Sequence, residues 1–496
     1  MSAALRIVLI NVGRREQTPA LTPPLGLLYL AAYVRRHLDV DITILDQREA
    51  DWPDPDLVSR VAELEPDIVG MRCLTGAHRG LRVLTQGIRQ ALPKALLALG
   101  GPHVSAFGAV ILDHTAADML VAGEGERSFL HIVQTFLDNR DYSGIPGLIW
   151  RSPDSGIVSN PGHGPIVENL DDLPFPAYDL IDIRRYWANS TQVFFPMLRK
   201  YIAMFSSRGC PWHCSYCHNI FGKKFRFHSA ERVVDEIAHY VKTFGVEDVD
   251  FMDDSFNFAP ERVAAIADLL GKRGVKVNVA FPNGMRTDIL TQETVDALAD
   301  MGAWYSSFAL ESASERIQKQ IEKHLNIPRF IQGVEMAVRR GILATGFTMI
   351  GFPGETLEEM QLTVDTVCAS KLHSAFFFYV TPFPGTELYR QTLRDMPERL
   401  RNMNYDDSFS YFTFDAVSNL STVPDPVFFR FADRAYRKFY LNLRRIARIV
   451  RDTRSRRTLP MHLLYIGDYC TRDLAVRRWL GKRIPIESGL LGKRRR

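Results

Sequence analysis

The sequence predicts an α/β protein in which a doubly wound parallel sheet precedes a second series of strand–helix repeats and a mostly helical C-terminal region. Three observations carry this prediction. Short β-branched runs alternate with helical patterns over about the first 140 residues, which indicates parallel strands joined by crossover helices. The alternation resumes at residue 201 for six more strands, and helical patterns dominate beyond residue 400.

Length and cysteine content limit the class of protein. At 496 residues the chain is too long for one ordinary core and predicts about two to four domains. Three of its six cysteines lie within eight residues, whereas Cys73, Cys368 and Cys470 are isolated. This pattern does not fit a secreted disulfide framework. The apolar run near the N-terminus is too short for a signal sequence or a membrane span. We therefore predict a protein of the reducing cytoplasm without membrane contact.

The charge is nearly balanced overall but basic near the C-terminus. The net charge is +4, and after residue 426 the chain has 20 Lys or Arg against 5 Asp or Glu. This stretch fits a surface for nucleic acid or membrane, and it also fits a solvated helical face with a frayed tail. The stretch lacks the patterned aromatic residues of a nucleic-acid stacking platform, which favours the second interpretation.

The first series contains five predicted strands. They lie at residues 6–10, 41–46 and 67–72 and within ALLALGGPH and DMLVAGEGE, and helices are predicted at residues 23–37, 55–64 and 80–92. Ligands of doubly wound sheets bind at the carboxyl ends of the strands, where this sequence places glycine and polar residues. A glycine pair at a strand end is also common in a tight turn without a ligand. Each of these loops alone therefore remains open to a structural interpretation.

The second series begins after a segment rich in Pro, Gly, Ser and Asp, which is predicted to be an ordered linker with one hairpin. Its six strands are predicted within residues 201–207, 248–256, 275–286, 304–312, 343–355 and 375–387. Further helices are predicted at about residues 426–451 and 472–480. Between them and the last strand, the aromatic residues Tyr405, Tyr411 and Phe412 fit either a lid over the site or a plain core role.

Polar residues again follow the strands of the second series. They are Asp253 and Asp254, Arg286, Glu311 and Ser312, Gly351 to Glu355, and Thr381 to Thr386, after the second to the sixth strand in that order. Active groups of β/α barrels lie at the carboxyl ends of the strands, so these residues are candidates for an active site. Asp253 and Asp254 are equally able to cap the next helix, and Arg286 is able to pair with Asp288.

The stretch FSSRGCPWHCSYCHN, which begins at residue 205, places three thiols in one loop. Cys210, Cys214 and Cys217 have the spacing CxxxCxxC, and the neighbouring Gly and Pro disfavour a regular helix or strand. Thiolates ligate iron–sulfur clusters, and three ligands on a four-iron cube leave one iron open to bind a substrate group and pass it one electron. The alternative is a structural zinc site with His213 or His218 as the fourth ligand.

The spacing of these thiols, with an aromatic residue just before the last of them, closely resembles the signature of the radical S-adenosylmethionine (SAM) superfamily. The resemblance implies a partial (β/α)6 barrel and a [4Fe–4S] cluster on the three cysteines, whose open iron chelates SAM. Reductive cleavage of SAM then yields methionine and a 5′-deoxyadenosyl radical. The resemblance also implies that Tyr216 packs on the adenine and that Arg286, Glu311 and Ser312 lie near the ribose or methionine moiety. The turn that begins at Gly351 is expected to close over the adenosyl end.

The order of PPLGL, GGPH and GEGE in the first series resembles the cobalamin-binding domain that precedes many radical SAM barrels. The implied fold is a Rossmann-like doubly wound sheet. The residues assigned to cobalamin by this resemblance are Thr75, Gly100, Gly101, His103, Gly123 and Glu124. The chain departs from the pattern after the first strand, where NVGRREQT stands in place of Asp-x-His-x-x-Gly. No histidine is therefore marked as the lower axial ligand of cobalt.

Together the two resemblances cover about residues 5 to 400 and define the expected domains. These are a cobalamin-binding-like domain over residues 1–145, a linker over 146–195, a radical SAM core over 196–400 and a helical C-terminal region over 401–496 that selects the substrate.

The resemblance implies an enzyme that cleaves SAM reductively and modifies an unactivated carbon of a small-molecule, natural-product-type substrate, as in antibiotic biosynthesis. The leading hypothesis is cobalamin-dependent methyl transfer, because an sp3 carbon has no electron pair with which to attack SAM directly. The alternative is a cobalamin-independent dehydration or rearrangement of a sugar or aminoglycoside-type substrate, in which Tyr216 returns a hydrogen atom or an electron. Either reaction needs an external one-electron reductant such as flavodoxin or ferredoxin. An RNA-modifying protein is a third interpretation, but the extra thiols and the RNA-binding barrel of such proteins are not apparent, and nucleic acid is not an expected partner.

Overall fold

Two parallel sheets, one after the other along the chain, organise the protein. The computed structural model describes residues 4–14, 21–187, 193, 199–218, 220–401, 403, 419–453, 459–460, 462 and 467. Sheet A has seven strands and sheet B has six. Both predicted series of strand–helix repeats are confirmed.

Sheet A is the doubly wound sheet. Its strands are β1 (Leu5–Val12), β2 (Val40–Asp46), β3 (Ile68–Cys73), β4 (Leu96–Gly100), β5 (Met119–Val121), β6 (Ile149–Ser152) and β7 (Gly156–Ser159). The helices of this part are α1 (Leu25–His37), α2 (Gln47–Ala50), α3 (Asp54–Glu63), α4 (His78–Ala91), α5 (Pro102–Phe107), α6 (Val110–His114) and α7 (Glu126–Asp138). The strand order is β2-β1-β3-β4-β5-β6-β7, with β1 to β5 parallel. Strand β1 is buried over residues 7–12 because helices cover both faces of the sheet.

The hairpin of β6 and β7 extends sheet A beyond the parallel strands. The sequence places this hairpin in the linker, whereas β6 pairs antiparallel with β5 in the register Met119 to Trp150. Trp150 is buried, and its indole N–H donates to Asn160 Oδ1 at 3.1 Å. Burial of this large ring attaches the hairpin to the sheet. The short helix α8 (Arg184–Trp187) follows further along the linker.

Sheet B has the six-stranded, all-parallel architecture of a partial barrel. Its strands are β8 (Tyr201–Met204), β11 (Asp248–Phe251), β12 (Asn278–Met285), β13 (Ala303–Glu311), β14 (Leu343–Ile350) and β15 (Ser374–Tyr379), in the spatial order β15-β14-β13-β12-β11-β8. The helices between them are α9 (Ala230–Phe244), α10 (Pro260–Lys272), α11 (Gln292–Asp300), α12 (Glu315–Gln320), α13 (Ile327–Arg339) and α14 (Leu357–Ala369), and α15 (Glu387–Asp395) follows β15. Neighbouring strands are consecutive in the chain, apart from a small inserted hairpin of β9 (Ser207–Arg208) and β10 (Arg226–Phe227).

The C-terminal region packs helices on the outside of sheet B. These are α17 (Asp425–Tyr440) and α18 (Leu443–Asp452), whereas α16 (Pro397–Arg401) lies against α15. The continuous helix predicted over residues 426–451 is wrong, since the chain breaks at Leu441 and Asn442. The side chain of Asn442 accepts a hydrogen bond from the Arg445 N–H at 3.1 Å and so caps a new helix. The predicted helix at 472–480 and the residues Tyr405, Tyr411 and Phe412 lie outside the described residues.

The two sheets meet through a common interior. Tyr29 of α1 donates from its hydroxyl to the Phe205 carbonyl at 3.2 Å, and buried side chains of both sheets form one continuous apolar cluster. Within the described part of the chain, the helices are too short or too polar to cross a bilayer.

Candidate functional site

The three clustered cysteines lie on the loop between β9 and β10, and each is a free thiol. Backbone hydrogen bonds fix this cysteine loop. The Cys210 N–H donates to the Gly222 carbonyl at 3.2 Å, and the Cys217 N–H donates to the Cys214 carbonyl at 3.2 Å. The hairpin therefore presents the thiols from a defined frame at the carboxyl end of β8.

The three free thiols are the type of ligand that an iron–sulfur cluster requires. Among the described residues, no three His, Cys, Asp or Glu side chains are grouped so that they could hold one ion. His213 is exposed, and the His218 ring contacts the ring of Phe383 with centroids 5.4 Å apart. A four-iron cube accepts thiolates that are further apart, because each binds a different iron. Cys217 is exposed and Cys210 is partly buried; burial raises the pKa of the Cys210 thiol above its ordinary value, so metal binding must displace its proton.

A buried hydrogen-bonded group joins the cysteine loop to the end of β13. Tyr216 donates from its hydroxyl to Glu311 Oε1 at 3.2 Å, and Lys323 Nζ donates to the same oxygen at 3.1 Å. Glu311 has φ +64°, a left-handed conformation that residues other than glycine rarely adopt. Burial, and then the Glu311 charge, raises the pKa of Tyr216 well above its ordinary value. The phenol therefore stays protonated and remains a donor.

The guanidinium of Arg286 is engaged inside the protein. Its Nε and Nη2 donate to the Asp288 carboxylate at 2.8 and 3.1 Å, which is the pairing left open by the sequence. Nη1 donates to the Lys323 carbonyl at 2.8 Å and Nη2 to the His324 carbonyl at 3.0 Å. The same group lies 3.8 Å from the centre of the Trp212 ring. Arg286 therefore holds the loop that carries Lys323 against a residue of the cysteine loop.

Ser312 and Gly351 stabilise the backbone at the ends of β13 and β14. Ser312 is fully buried, and its hydroxyl lies 3.3 Å from Thr363 Oγ1 and accepts from the Ser314 N–H at 3.2 Å. Gly351 has φ +95°, and its N–H donates to Glu355 Oε2 at 2.7 Å. Burial raises the pKa of Glu355 to about 8. The turn after β14 is thus built around a buried carboxyl group.

The carboxyl edge of sheet A holds two stacked imidazole rings. The Thr75 carbonyl accepts a hydrogen bond from His78 Nδ1 at 2.9 Å, and the His78 ring stacks on His103 with centroids 5.1 Å apart. Burial, and then the nearby His78, lowers the pKa of His103 to about 3. His103 Nδ1 is buried and has no hydrogen-bond partner within the described residues. Such an unpaired nitrogen is a group that a bound molecule would satisfy.

A cavity of about 490 Å³ opens at the same edge. Its position is where the strand order reverses between β1 and β3, the place at which doubly wound sheets bind ligands. Residues that line it include Val12, Gly13, Gln47, Ala77 and Gly80. The residues assigned to cobalamin from the sequence border the edge but do not line this cavity; among them, Gly101 has φ +95° and packs against the Cys73 backbone. The unpaired ring nitrogen of His103 belongs to the same edge but is not part of the cavity lining.

Gly123 and Glu124 follow β5 and face the hairpin of the cysteine loop. Gly123 has φ +77°, and an ideal Cβ on it would lie 4.0 Å from the Ile220 carbonyl oxygen. The Glu124 carboxylate accepts hydrogen bonds from Arg208 of β9 and Arg226 of β10. The carboxyl edge of sheet A therefore touches the base of the cysteine loop.

Comparisons with known proteins agree with this geometry. The family model of the radical SAM superfamily matches residues 204–367, and that of the B12 binding domain matches residues 15–133. An uncharacterized methyltransferase of Pyrococcus horikoshii is 30% identical over 422 residues, which cover 84% of this chain and 88% of that protein. The cytidylyl-2-hydroxyethylphosphonate methyltransferase of Streptomyces wedmorensis is 27% identical over 454 residues, which cover 81% and 84%.

A solved structure shares the whole architecture. The radical SAM methyltransferase TsrM from Kitasatospora setae superposes with a TM-score of 0.71 at 16% identity, covering 96% of this chain and 100% of that one. The chain belongs to the radical SAM superfamily and carries a B12-binding domain before the barrel. It is a radical SAM enzyme, and its cofactors are a [4Fe–4S] cluster, SAM and cobalamin.

Several site residues are not apparent from the sequence. Lys323 lies in EKHLN after a helix, where a lysine is normally solvated, and nothing in that pattern indicates its burial. Trp212 and Arg286 are 74 positions apart in the chain, so no local pattern indicates that their side chains are in contact. Arg208 did carry a signal, because it is a charged residue between two small residues, two positions before the first cysteine.

Proposed function

We propose that this enzyme transfers a methyl group from cobalamin to an unactivated carbon of a small-molecule substrate. The observation that carries the proposal is the contact between the two carboxyl edges, where the turn after β5 meets the hairpin that presents Cys210. A cofactor at the edge of sheet A and SAM at the mouth of the barrel would face one shared space. The names of both relatives given above, which are methyltransferases, support the same reaction.

The cofactors supply the reactive chemistry, and the chain supplies their placement. When bound, the cluster supplies the electron that cleaves SAM to methionine and a 5′-deoxyadenosyl radical, and cobalamin supplies the methyl group. We assign Cys210, Cys214 and Cys217 as the ligands of three irons, which leaves the fourth iron for SAM. An external one-electron carrier such as flavodoxin or ferredoxin would deliver the electron.

Glu311 is the residue that we assign to the SAM ribose. Its Oε1 is occupied by Tyr216 and Lys323, whereas its Oε2 takes no hydrogen bond within the described part of the chain. A carboxylate oxygen in this position accepts a hydrogen bond from a ribose hydroxyl. The Lys323 ammonium balances the buried charge, and the Tyr216 ring packs edge-on against Phe352 with centroids 6.0 Å apart. In this proposal, the Tyr216 ring forms an aromatic wall beside the adenosyl group.

The proposed reaction is tested by the products of SAM. A methylation cycle converts one SAM to S-adenosylhomocysteine, as methyl donor, and another to 5′-deoxyadenosine and methionine. The anaerobic protein, loaded with iron–sulfur cluster and cobalamin, is incubated with SAM and reduced flavodoxin, and both nucleosides are quantified by mass spectrometry. We expect both products from the wild type and no 5′-deoxyadenosine from Cys214→Ala.

The same assay separates methylation from its alternative. If 5′-deoxyadenosine forms without S-adenosylhomocysteine, methyl transfer is rejected in favour of dehydration or rearrangement.

A further inference from the structure

A buried ion cluster lies where the turn after β5 meets the hairpin of the cysteine loop. Its members are Glu124 of the turn after β5, Glu126 at the start of α7, and Arg208 and Arg226 of the hairpin, and we call them the interface ion cluster. Each exposes at most 6% of its side chain. Charges in such a dry position must be paired, so the geometry of the cluster is closely specified.

Both oxygens of Glu124 are taken by the two arginines. Arg208 Nη1 donates to Glu124 Oε2 at 3.0 Å, and Arg226 Nη1 donates to the same oxygen at 3.2 Å. Arg226 Nη2 donates to Glu124 Oε1. Arg208 Nη2 completes the cluster with a 2.6 Å hydrogen bond to Glu126 Oε1. The Glu124 carboxylate is therefore a bridge between two cations and is not directed at a cofactor.

The charge of Glu124 is required because the two arginines are neighbours. Arg208 and Arg226 are directly opposite each other in the β9–β10 pair, a position in which like charges repel. Two carboxylates make the cluster neutral. Burial raises the pKa of Glu126, but the Arg208 charge and its hydrogen bond are among the effects that outweigh burial, and the net shift is downward. With Glu124 uncharged, two buried cations would share one carboxylate.

The interface ion cluster sits next to the first cysteine. Arg208 precedes Gly209 and Cys210 directly, and an ideal Cβ on Gly209 would lie 2.3 Å from the Lys224 carbonyl oxygen. The backbone between the arginine and the cysteine thus packs directly against the second arm of the hairpin. The Arg208 guanidinium also lies 5.2 Å from the centre of the Tyr29 ring, which belongs to α1 beside sheet A. A shift of the turn after β5 would therefore move Cys210.

We propose that Glu124 is a positioning residue that fixes the distance between the two cofactor centres. Its carboxylate fastens the cobalamin-binding edge of sheet A to the base of the cysteine loop. The inference rests on the proposed assignment of the three cysteines to the cluster, but it does not depend on methyl transfer.

The test measures that distance directly. The full chain, loaded with both cofactors, is reduced so that the cluster and cob(II)alamin are both paramagnetic, and the distance between them is measured by pulsed dipolar EPR. We expect one narrow distribution in the wild type. In Glu124→Gln, which keeps the shape but removes the charge, we expect a distribution at least twofold broader with unchanged iron and cobalamin content.

A matched control removes a carboxylate from another buried ion pair. Arg199 donates to Asp250 Oδ1 at 2.7 Å on β11, and both side chains are 2% exposed. Asp250→Asn should keep the narrow distribution, since this pair lies outside the interface ion cluster.

Two results would overturn the inference. An unchanged distribution in Glu124→Gln would show that the charge does not set the distance, and a selective loss of cobalamin would show that Glu124 binds that cofactor. If Glu124→Gln does not fold, the charge-balanced variant Glu124→Gln/Arg226→Gln is measured in its place. We expect a broader distance distribution in this variant as well, and an unchanged distribution would contradict the inference. A narrow wild-type distribution in a protein that does not methylate would reject the proposed function and leave this inference intact.

Discussion

A single carboxylate, Glu311, organises the polar contacts between the cysteine loop and the end of β13. Two donors from distant parts of the chain, Tyr216 and Lys323, converge on one of its oxygens. The left-handed backbone of Glu311 is unfavourable for a residue with a side chain, so packing must hold it. A strained residue at a strand end of a barrel is typical of a binding site.

The first prediction concerns this carboxylate. In Glu311→Gln, the hydrogen bonds to Lys323 and to the ribose lose their charge assistance. A hydrogen bond to a charged group contributes about 1.5–3 kcal/mol, so we expect SAM affinity to fall by roughly 10-fold or more. Equilibrium binding of SAM to the reconstituted protein measures the change. The exposed Glu315→Gln serves as the control and should bind SAM as the wild type does, and unchanged affinity in Glu311→Gln would contradict the assignment.

The second prediction concerns the pH dependence of stability. Burial raises the pKa of Glu355 to about 8 from an ordinary 4.5. The folded protein therefore keeps a proton that the unfolded chain releases, and the free energy of unfolding falls as pH rises from about 4.5 to 8, by up to about 5 kcal/mol. Glu355→Gln removes this loss and should be more stable than the wild type at pH 8 but similar at pH 5.

Urea unfolding of the wild type, Glu355→Gln and the exposed control Glu358→Gln at both pH values measures this difference. The control should follow the wild type. An equal fall in stability for Glu355→Gln and the wild type would show that Glu355 does not carry the proton.

At the residue scale, the sequence identifies those site residues that lie close to one another along the chain. Cys210, Cys214 and Cys217 are recognisable because their spacing lies within one loop. Lys323 is not, because its burial depends on how the chain after α12 folds back towards β13. The position of Arg286 at a strand end is predictable from the sequence. Its hydrogen bonds to Asp288 and to two carbonyl groups are not, because they depend on the tertiary structure.

The β9–β10 hairpin is the element that connects the two sheets to the cysteine loop. The third prediction tests whether the two arms of the hairpin can pack together when a side chain is added at Gly209. This residue has φ +85° and lies against the Lys224 carbonyl oxygen. Gly209→Ala adds both backbone strain and a steric clash, so we expect less than half of the wild-type iron after reconstitution. Gly222 also has a positive φ, +78°, but no atom of the described residues lies within 4 Å of its ideal Cβ.

Gly222→Ala is therefore the matched control, because it adds only backbone strain of about 1–2 kcal/mol. We expect it to bind iron nearly as the wild type does. The iron content per protein chain is measured for both variants. Equal iron content would show that the clash between the added methyl group at Gly209 and the Lys224 carbonyl does not affect binding of the cluster.

At the element scale, long strands and helices are predictable and short ones are not. The parallel strands of both sheets carry apolar runs that are visible in the sequence, whereas β9 and β10 have two residues each and are too short for an alternating pattern. The break between α17 and α18 had a signal in Asn442, a favourable N-cap. The apolar pattern continues across that residue and conceals the break.

At the scale of the whole molecule, the proposed function depends on how sheets A and B are joined. The carboxyl edges of both sheets meet at the interface ion cluster, and their side chains share one apolar interior. The sequence predicts each sheet, because each has its own pattern. It does not predict the interface ion cluster that joins the two sheets. Glu124 is 84 residues from Arg208 and 102 from Arg226, and no local pattern links them.

The central claim is that three cysteines hold a four-iron cluster whose remaining iron is open to SAM. The most direct measurement is the EPR spectrum of the reduced, reconstituted full-length protein before and after SAM is added. We predict a [4Fe–4S]⁺ signal whose g-values shift on addition of SAM, and no such signal in Cys214→Ala. A cluster signal that SAM leaves unchanged, or one that persists in Cys214→Ala, would contradict the account.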